Sequence, residues 1–434
     1  MFTKRISAIA LFAVTSPAWA VPFAPVDGRS FAMGGTGVAS AKASSAGLFN
    51  PAMLAAQKPS ADFSIILPTV GVIADDSGNV LDTLSDMQDG SLTQFEDAMT
   101  AWDNNQTLAN ATLVANAAGA VKNDLPKLNN KPVTLDIGAG FGFGVPSKTF
   151  GFGLHTTMNA SVGVVTRIHP NDLTILSNMQ AAAATNFAGC DASFQECAPG
   201  PNFGELKDPA KILQSSEEAV GVAVGEVGLG FAHQFDIAGQ KISLGITPKF
   251  VQIDTIQYHE SMGSNEDISD VIEDTKYRKE YTDFNADLGA AMTFGEEETA
   301  TVVGLVVRNV MAKSYKTAGF VDSHGTVWPA YEIELNTQMR AGVAKRWNSF
   351  NVAADVDLTK NSGVGLNKDS QFLAVGGEMD FRFIQLRAGY RHNLVSDGVK
   401  SMATAGIGLG PLDISAMYAD EHSYGANIQF GFSF

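Results

Sequence analysis

The clearest pattern in the chain is a two-residue alternation, and it is strongest at the C-terminal end. From Tyr424 every second residue is apolar (Tyr424, Ala426, Ile428, Phe430, Phe432 and Phe434), with Gly425, Asn427, Gln429, Gly431 and Ser433 between them. Successive side chains of a β-strand point to opposite faces, so this segment is a strand with one greasy face and one small or polar face. The same period recurs at Leu412, Ile414, Ala416 and Tyr418, at Ile384, Leu386, Ala388 and Tyr390, and at Val352, Ala354, Val356 and Leu358. Earlier in the chain it recurs at Phe284 to Phe294 and at Val133 to Val145. Fourteen strands are expected, near 61–73, 133–145, 149–166, 220–236, 240–256, 280–294, 300–310, 337–347, 349–359, 370–380, 383–393, 401–410, 412–420 and 424–434. The first is the weakest, because Pro68 interrupts it and proline cannot donate to a ladder.

The connections between these segments fall into two classes that take turns. Short ones lie at 146–148, 237–239, 295–299, 347–349, 380–382 and Pro411. The others, at 74–132, 167–219, 257–279, 311–336, 360–369, 394–400 and 421–423, are mostly longer. A transmembrane antiparallel β-barrel with an even strand number and both ends in the periplasm has this order of short turns and long outer loops. A soluble periplasmic β-sandwich is the rival fold and gives no reason for it. Two of the long loops are expected to contain helices. One covers Val80 to Asp124, with Leu81, Leu84, Met87, Leu92, Phe95, Met99 and Trp102; the other covers Leu173 to Phe187. Such helices either offer a greasy surface to ligands at the barrel mouth or simply pack on each other.

Composition agrees with export to a membrane. Only 17% of the residues are charged, against about a quarter in ordinary soluble proteins. The 43 glycines beside 27 phenylalanines suit a closely packed, curved sheet. A net charge of −17 argues against nucleic acid as a partner. Lys4 and Arg5, the apolar run 6–14 and Ala18-Trp19-Ala20 read as a secretory signal peptide over 1–20, with outer membrane as the destination. No stretch of 18 apolar residues follows, so a helical membrane protein is not expected. Cys190 and Cys197, close together in an exported chain, are expected to form a disulfide.

Candidate chemistry is sparse. The seven histidines are scattered without an HExxH pattern, and there is no GxSxG elbow, so no enzyme activity, metal or cofactor is expected. The polar strand faces carry Arg340, Arg346, Arg387 and Arg391 with Asp355, Asp357 and Glu378. These form either a solvated network that fixes material inside the lumen or a basic patch for a carboxylate head group. Glu296, Glu297 and Glu298 are expected to be a solvated turn.

The segment before the first strand contains Met33-Gly34-Gly35-Thr36-Gly37 and, further on, Phe49-Asn50-Pro51-Ala52. The glycines lack the Lys-Ser/Thr and the preceding strand of a phosphate loop. Together with the strand count, these blocks resemble the FadL-type superfamily of outer-membrane barrels and, more closely, its TraF-like conjugal-transfer branch. The resemblance implies a fourteen-stranded barrel over 61–434, plugged by an N-terminal hatch over 21–60. It also implies passage of hydrophobic compounds such as long-chain fatty acids. Met33, Gly34, Gly35, Phe49, Asn50 and Pro51 are then candidates for the ligand path. The absence of CxxC keeps the thioredoxin-like protein of similar name out of the comparison. A chain that stops on Phe434, with Phe430 and Phe432 before it, resembles the C-terminal signal read by the barrel assembly machinery. The expected partners are therefore outer-membrane lipid, that machinery and a hydrophobic small molecule. A structural role in conjugal transfer or envelope assembly is the alternative.

Overall fold

The computed structural model describes residues 26–56, 62–200, 204–208, 212–261, 275–295, 299–321, 327–361, 363, 366, 368–395 and 398–434. The expected signal peptide, residues 21–25 and 57–60 of the expected hatch, and Glu296 to Glu298 lie outside them. Among the described residues three short helices come first: α1 (Gly28–Ala32), α2 (Ala43–Phe49) and α3 (Met53–Ala56). After strand β1 (Ser64–Asp75) come α4 (Val80–Met87), α5 (Thr93–Asn104) and α6 (Leu108–Asp124). Strands β2 (Pro132–Val145) and β3 (Gly151–Arg167) precede α7 (Pro170–Ala183). Then follow β4 (Ser216–Ile237), β5 (Gln240–Ser261), β6 (Arg278–Phe294) and β7 (Thr301–Arg308). The long loop after β7 holds β8 (Lys313–Lys316), β9 (Phe320–Val321), β10 (Val327–Trp328) and β11 (Glu332–Leu335). The chain ends with β12 (Gln338–Trp347), β13 (Phe350–Asp357), β14 (Phe372–Asp380), β15 (Ile384–Asn393), β16 (Met402–Leu409), β17 (Leu412–Asp420) and β18 (Ser423–Ser433).

Strands β1–β7 and β12–β18 form one closed antiparallel barrel, the fourteen strands expected, and β1 pairs with β18 to close it. Pro68 does not break β1. The ladder absorbs it as a register shift between Leu67 and Thr69, the usual place for proline in a sheet. The turn between β4 and β5 puts Ala238 and Gly239 both at positive φ, the geometry of a two-residue hairpin whose twist matches its strands.

The alternation now has a physical meaning. Along β18 the polar Asn427 and Gln429 are buried, whereas Tyr424, Ile428, Phe430 and Phe432 are exposed. The same inversion holds for Val303 and Leu305 on β7, Val343 on β12, and Leu373 and Val375 on β14. Aromatic rings collect at the short-turn end, with Phe63 stacked on Phe434 and Trp347 on Phe350. A continuous apolar belt around a polar interior is the surface of a barrel embedded in an outer membrane.

The wall is uneven in height. β4 and β5 each run 22 residues, whereas β7, β13 and β16 have 8. About ten residues cross a bilayer, so the tall strands continue beyond the membrane at their long-loop end. There β8 pairs with β11, and Tyr315, Ile333 and Leu335 pack on Val222, Val224, Val251 and Ile253 of β4 and β5. Helices α4–α7 form a separate core from Leu84, Met99, Trp102, Val114, Leu176 and Met179 with Phe194 of the disulfide loop. Cys190 and Cys197 are bonded to each other. Of the two readings of these helices, the second describes them: their main apolar faces are used on one another.

Candidate functional site

Residues 26–56 lie inside the barrel, and among them only Lys42 is exposed. The wall receives this segment where it lacks side chains. A β-carbon on Gly142 would meet the Ser44 carbonyl at 2.1 Å, and one on Gly304 would meet the Val38 carbonyl at 2.6 Å. Those on Gly376 and Gly389 would fall at 2.4 Å and 2.5 Å from Met33 backbone atoms. Real β-carbons do not come this close, so inward-facing glycine on β2, β7, β14 and β15 is what lets segment backbone touch wall backbone. Within the segment, Gly34 has a φ of +73° and sits against the Tyr390 and Val375 carbonyls. Much of the glycine content is explained by this seating.

Polar anchors fix the segment from end to end. Asn427 Nδ2 and Thr69 Oγ1 both donate to the Val26 carbonyl, at 3.1 and 2.6 Å. Thr404 Oγ1 accepts from Gly34 N at 2.9 Å and donates to the Ala32 carbonyl at 2.8 Å. The Asp355 carboxylate accepts from Gly37 N and Val38 N, at 2.7 and 3.0 Å. Asn50 Nδ2 donates to the carbonyls of Val38 and Ala290, at 2.9 and 3.1 Å, while its Oδ1 accepts from Ala52 N. At the start of α1, burial pushes the Asp27 carboxyl above its usual range, opposed by nearby Arg29.

The lumen charges separate into different roles. Glu378 holds Arg29 of the segment bidentately, at 2.8 and 3.0 Å, and also accepts from Arg387 Nε at 2.7 Å. Arg387 reaches Asp413 with its other end. Arg340 pairs with Asp357 at 2.5 Å and donates to the Gly35 carbonyl at 3.3 Å. Of the wall charges, Glu378 and Arg340 bond the segment directly, Arg387 and Asp357 pair with them, and Asp355 holds the segment through Gly37 and Val38. Arg391 differs. Its guanidinium lies over the Phe372 ring at 4.8 Å and makes no ion pair among the described residues. Arg346 stands apart at the short-turn mouth. Of the ligand-path candidates, Met33, Gly34, Gly35, Phe49, Asn50 and Pro51 all belong to the buried segment. Phe430 and Phe432 face outward on β18, with Phe434 beyond its end.

The sequence reading missed a second charge cluster on the tall side. Lys249 Nζ lies 2.9 Å from both Glu226 and Asp287, and Arg308 reaches Glu226 at 2.9 Å and Asp287 at 3.4 Å. Four charges of zero net sum thereby cross-link β4, β5, β6 and β7. The signal was present: all four fall on polar strand faces, but alternation names the face and not the partner across the wall. Beside them lies a cavity of about 20 Å³. Val26, Leu48, Phe49 and Leu335 give it apolar walls, and Thr157, Asn159 and Asn309 add polar ones. Thr157 Oγ1, Asn159 Oδ1 and Asn309 Oδ1 are buried there without a hydrogen-bond partner among the described residues.

Comparison with known proteins adds the family. Solved structures with similar architecture include the toluene transporter TbuX of Ralstonia pickettii, at 11% identity and a TM-score of 0.48, covering 94% of this chain and 97% of that one. The P. putida toluene transporter TodX is similar at 12% identity and a TM-score of 0.44, covering 94% and 98%. The monoaromatic hydrocarbon channel CymD is similar at 9% identity and a TM-score of 0.42, covering 96% and 99%. No curated protein sequence matches the chain. The family model described as the F plasmid transfer operon TraF protein matches residues 47–357, well over half of the chain. The chain therefore belongs to this TraF family, in the form of an outer-membrane barrel with its N-terminal segment inside the lumen.

Proposed function

We propose that the barrel admits small hydrophobic molecules across the outer membrane, with displacement of the N-terminal segment opening the path. The observation that carries this reading is the kind of seal present. Residues 26–56 fill the lumen through hydrogen bonds, ion pairs and backbone contacts, all of which can be exchanged without breaking the wall. The apolar side chains of Val26, Leu48, Phe49 and Leu335 meet beside the seal, so displacing the segment would widen a space already partly lined for a hydrophobic molecule. On this reading residues 1–20 are removed on export, 21–60 are the hatch and 61–434 the barrel. Phe430, Phe432 and Phe434 then present the C-terminal strand to the assembly machinery. The test is uptake of a fluorescent fatty acid into proteoliposomes. Entry several-fold faster than into protein-free vesicles supports the proposal, and entry no faster overturns it.

A second reading follows from the family itself, whose description places it in a plasmid-transfer operon. The compact helical core of α4–α7 at the long-loop end would then be a contact surface for another cell-envelope component. Unchanged transfer frequency after deletion of the chain would remove this reading.

A further inference from the structure

A cavity of about 310 Å³ lies at the short-turn mouth. Its lining brings Arg29, Ser40 and Lys42 of the N-terminal segment against Ser64, Arg346 and Glu378 of the wall. Arg29 and Glu378 already hold each other. Among the described residues, Lys42 and Arg346 make no ion pair, although both face this one chamber. Asp380, the other carboxylate of the lining, accepts from Arg382 N and Gln385 Nε2 at the rim. The Ser40 and Ser64 hydroxyls, on residues only 4% and 5% exposed, are buried without a hydrogen-bond partner among the described residues.

An unpaired lysine or arginine on a surface is ordinary. Two of them in one chamber with two buried, unsatisfied hydroxyls are not, because buried polar groups nearly always find partners. Ammonium and guanidinium groups have donors and no acceptor, and a serine hydroxyl donates readily to an oxygen anion. Charge-assisted bonds of this type are about twice as strong as neutral ones. We propose that the chamber binds an anionic group, carboxylate or phosphate, between Lys42, Arg346, Ser40 and Ser64. Phe350 and Pro146 line the same space and give an attached alkyl or aryl body an apolar wall. The anion is either the head group of a molecule leaving the lumen or a free ion from the periplasm. This assignment concerns binding at equilibrium and stands whether or not transport occurs.

The test uses the full chain in zwitterionic lipid nanodiscs, titrated calorimetrically with hexanoate, hexanol and inorganic phosphate. The Lys42→Gln/Arg346→Gln variant is compared with a charge control, Lys345→Gln, whose ammonium donates to the Thr299 carbonyl outside the chamber. A heat-shifted gel band shows that each is folded. The expected result is at least about a tenfold loss of hexanoate affinity in the double variant, with hexanol unchanged, as charge-assisted recognition requires. Hexanoate binding far above phosphate identifies the head group of an amphiphile as the ligand. Equal binding of the two identifies a free anion, and both outcomes sustain the chamber. Failure of both anions to bind the folded wild type overturns it. So does equal anion affinity in the double variant, or an equal loss in Lys345→Gln.

Discussion

The side-chain oxygen of Asn50 occupies the place where a β-carbon on Gly289 would stand, with only 2.1 Å between the two positions. Asn50 belongs to the Asn-Pro-Ala block and Gly289 to β6, so one glycine of the wall sets the position of the central turn of the segment. The Asn50 amide ties that turn to Val38 on one side and to the Ala290 carbonyl on the other.

Gly289→Val therefore displaces Asn50 without touching the outward belt. The cost expected is about 1–3 kcal/mol, the range for overpacking a tight interior. The barrel should still give a heat-shifted band. Protease applied from the short-turn side should cut the segment faster than in wild type.

Glu378 serves two guanidiniums, Arg29 and Arg387, whereas loss of Arg29 leaves Glu378 still paired with Arg387. Removing one member of a buried pair costs about 3–5 kcal/mol when the other charge is left alone. Glu378→Gln should accordingly lower the melting temperature more than Arg29→Gln. In the double variant the two losses should be less than additive, which a thermal double-mutant cycle in neutral detergent measures.

The strands were legible because a barrel wall imposes one rule on every residue, out to lipid or in to the lumen, and a period of two records it. The expected strand at 424–434 is found as Ser423–Ser433, and that at 412–420 as Leu412–Asp420. The pairs β8–β11 and β9–β10 escaped because strands of two to four residues are too short to show a period. Partners across the lumen escaped for a different reason. Alternation places Glu378 inward, but its main partner, Arg29, lies 349 residues away. The anchoring asparagine and the glycine ring were visible only as motifs, and seating one in the other needs the closed barrel.

At the long-loop end, His422 Nε2 lies 3.1 Å from the Asp82 carboxylate, joining the β17–β18 connection to α4. That hydrogen bond raises the His422 pKa above its ordinary 6.5. A raised histidine pKa stabilises the folded contact fully below about 6.5 and loses that contribution as pH rises through the higher folded value. Amide exchange in the first turns of α4, corrected for intrinsic rate, should therefore be slower at pH 5.5 than at pH 8.5. Asp82→Asn should abolish the difference. Because the pair is exposed, added salt should shrink the effect.

The central claim is that the segment seals the lumen and must move for a hydrophobic molecule to pass. A β-carbon at Gly342 would stand 2.9 Å from that of Val38, within about an ångström of disulfide separation, once the Asp355 carboxylate oxygen 2.3 Å from the same point turns aside. Oxidised Val38→Cys/Gly342→Cys therefore ties the middle of the segment to β12. In proteoliposomes the account predicts that fatty-acid uptake falls to the protein-free rate when this link is closed and recovers when it is reduced. Uptake at the wild-type rate through the cross-linked barrel would contradict it.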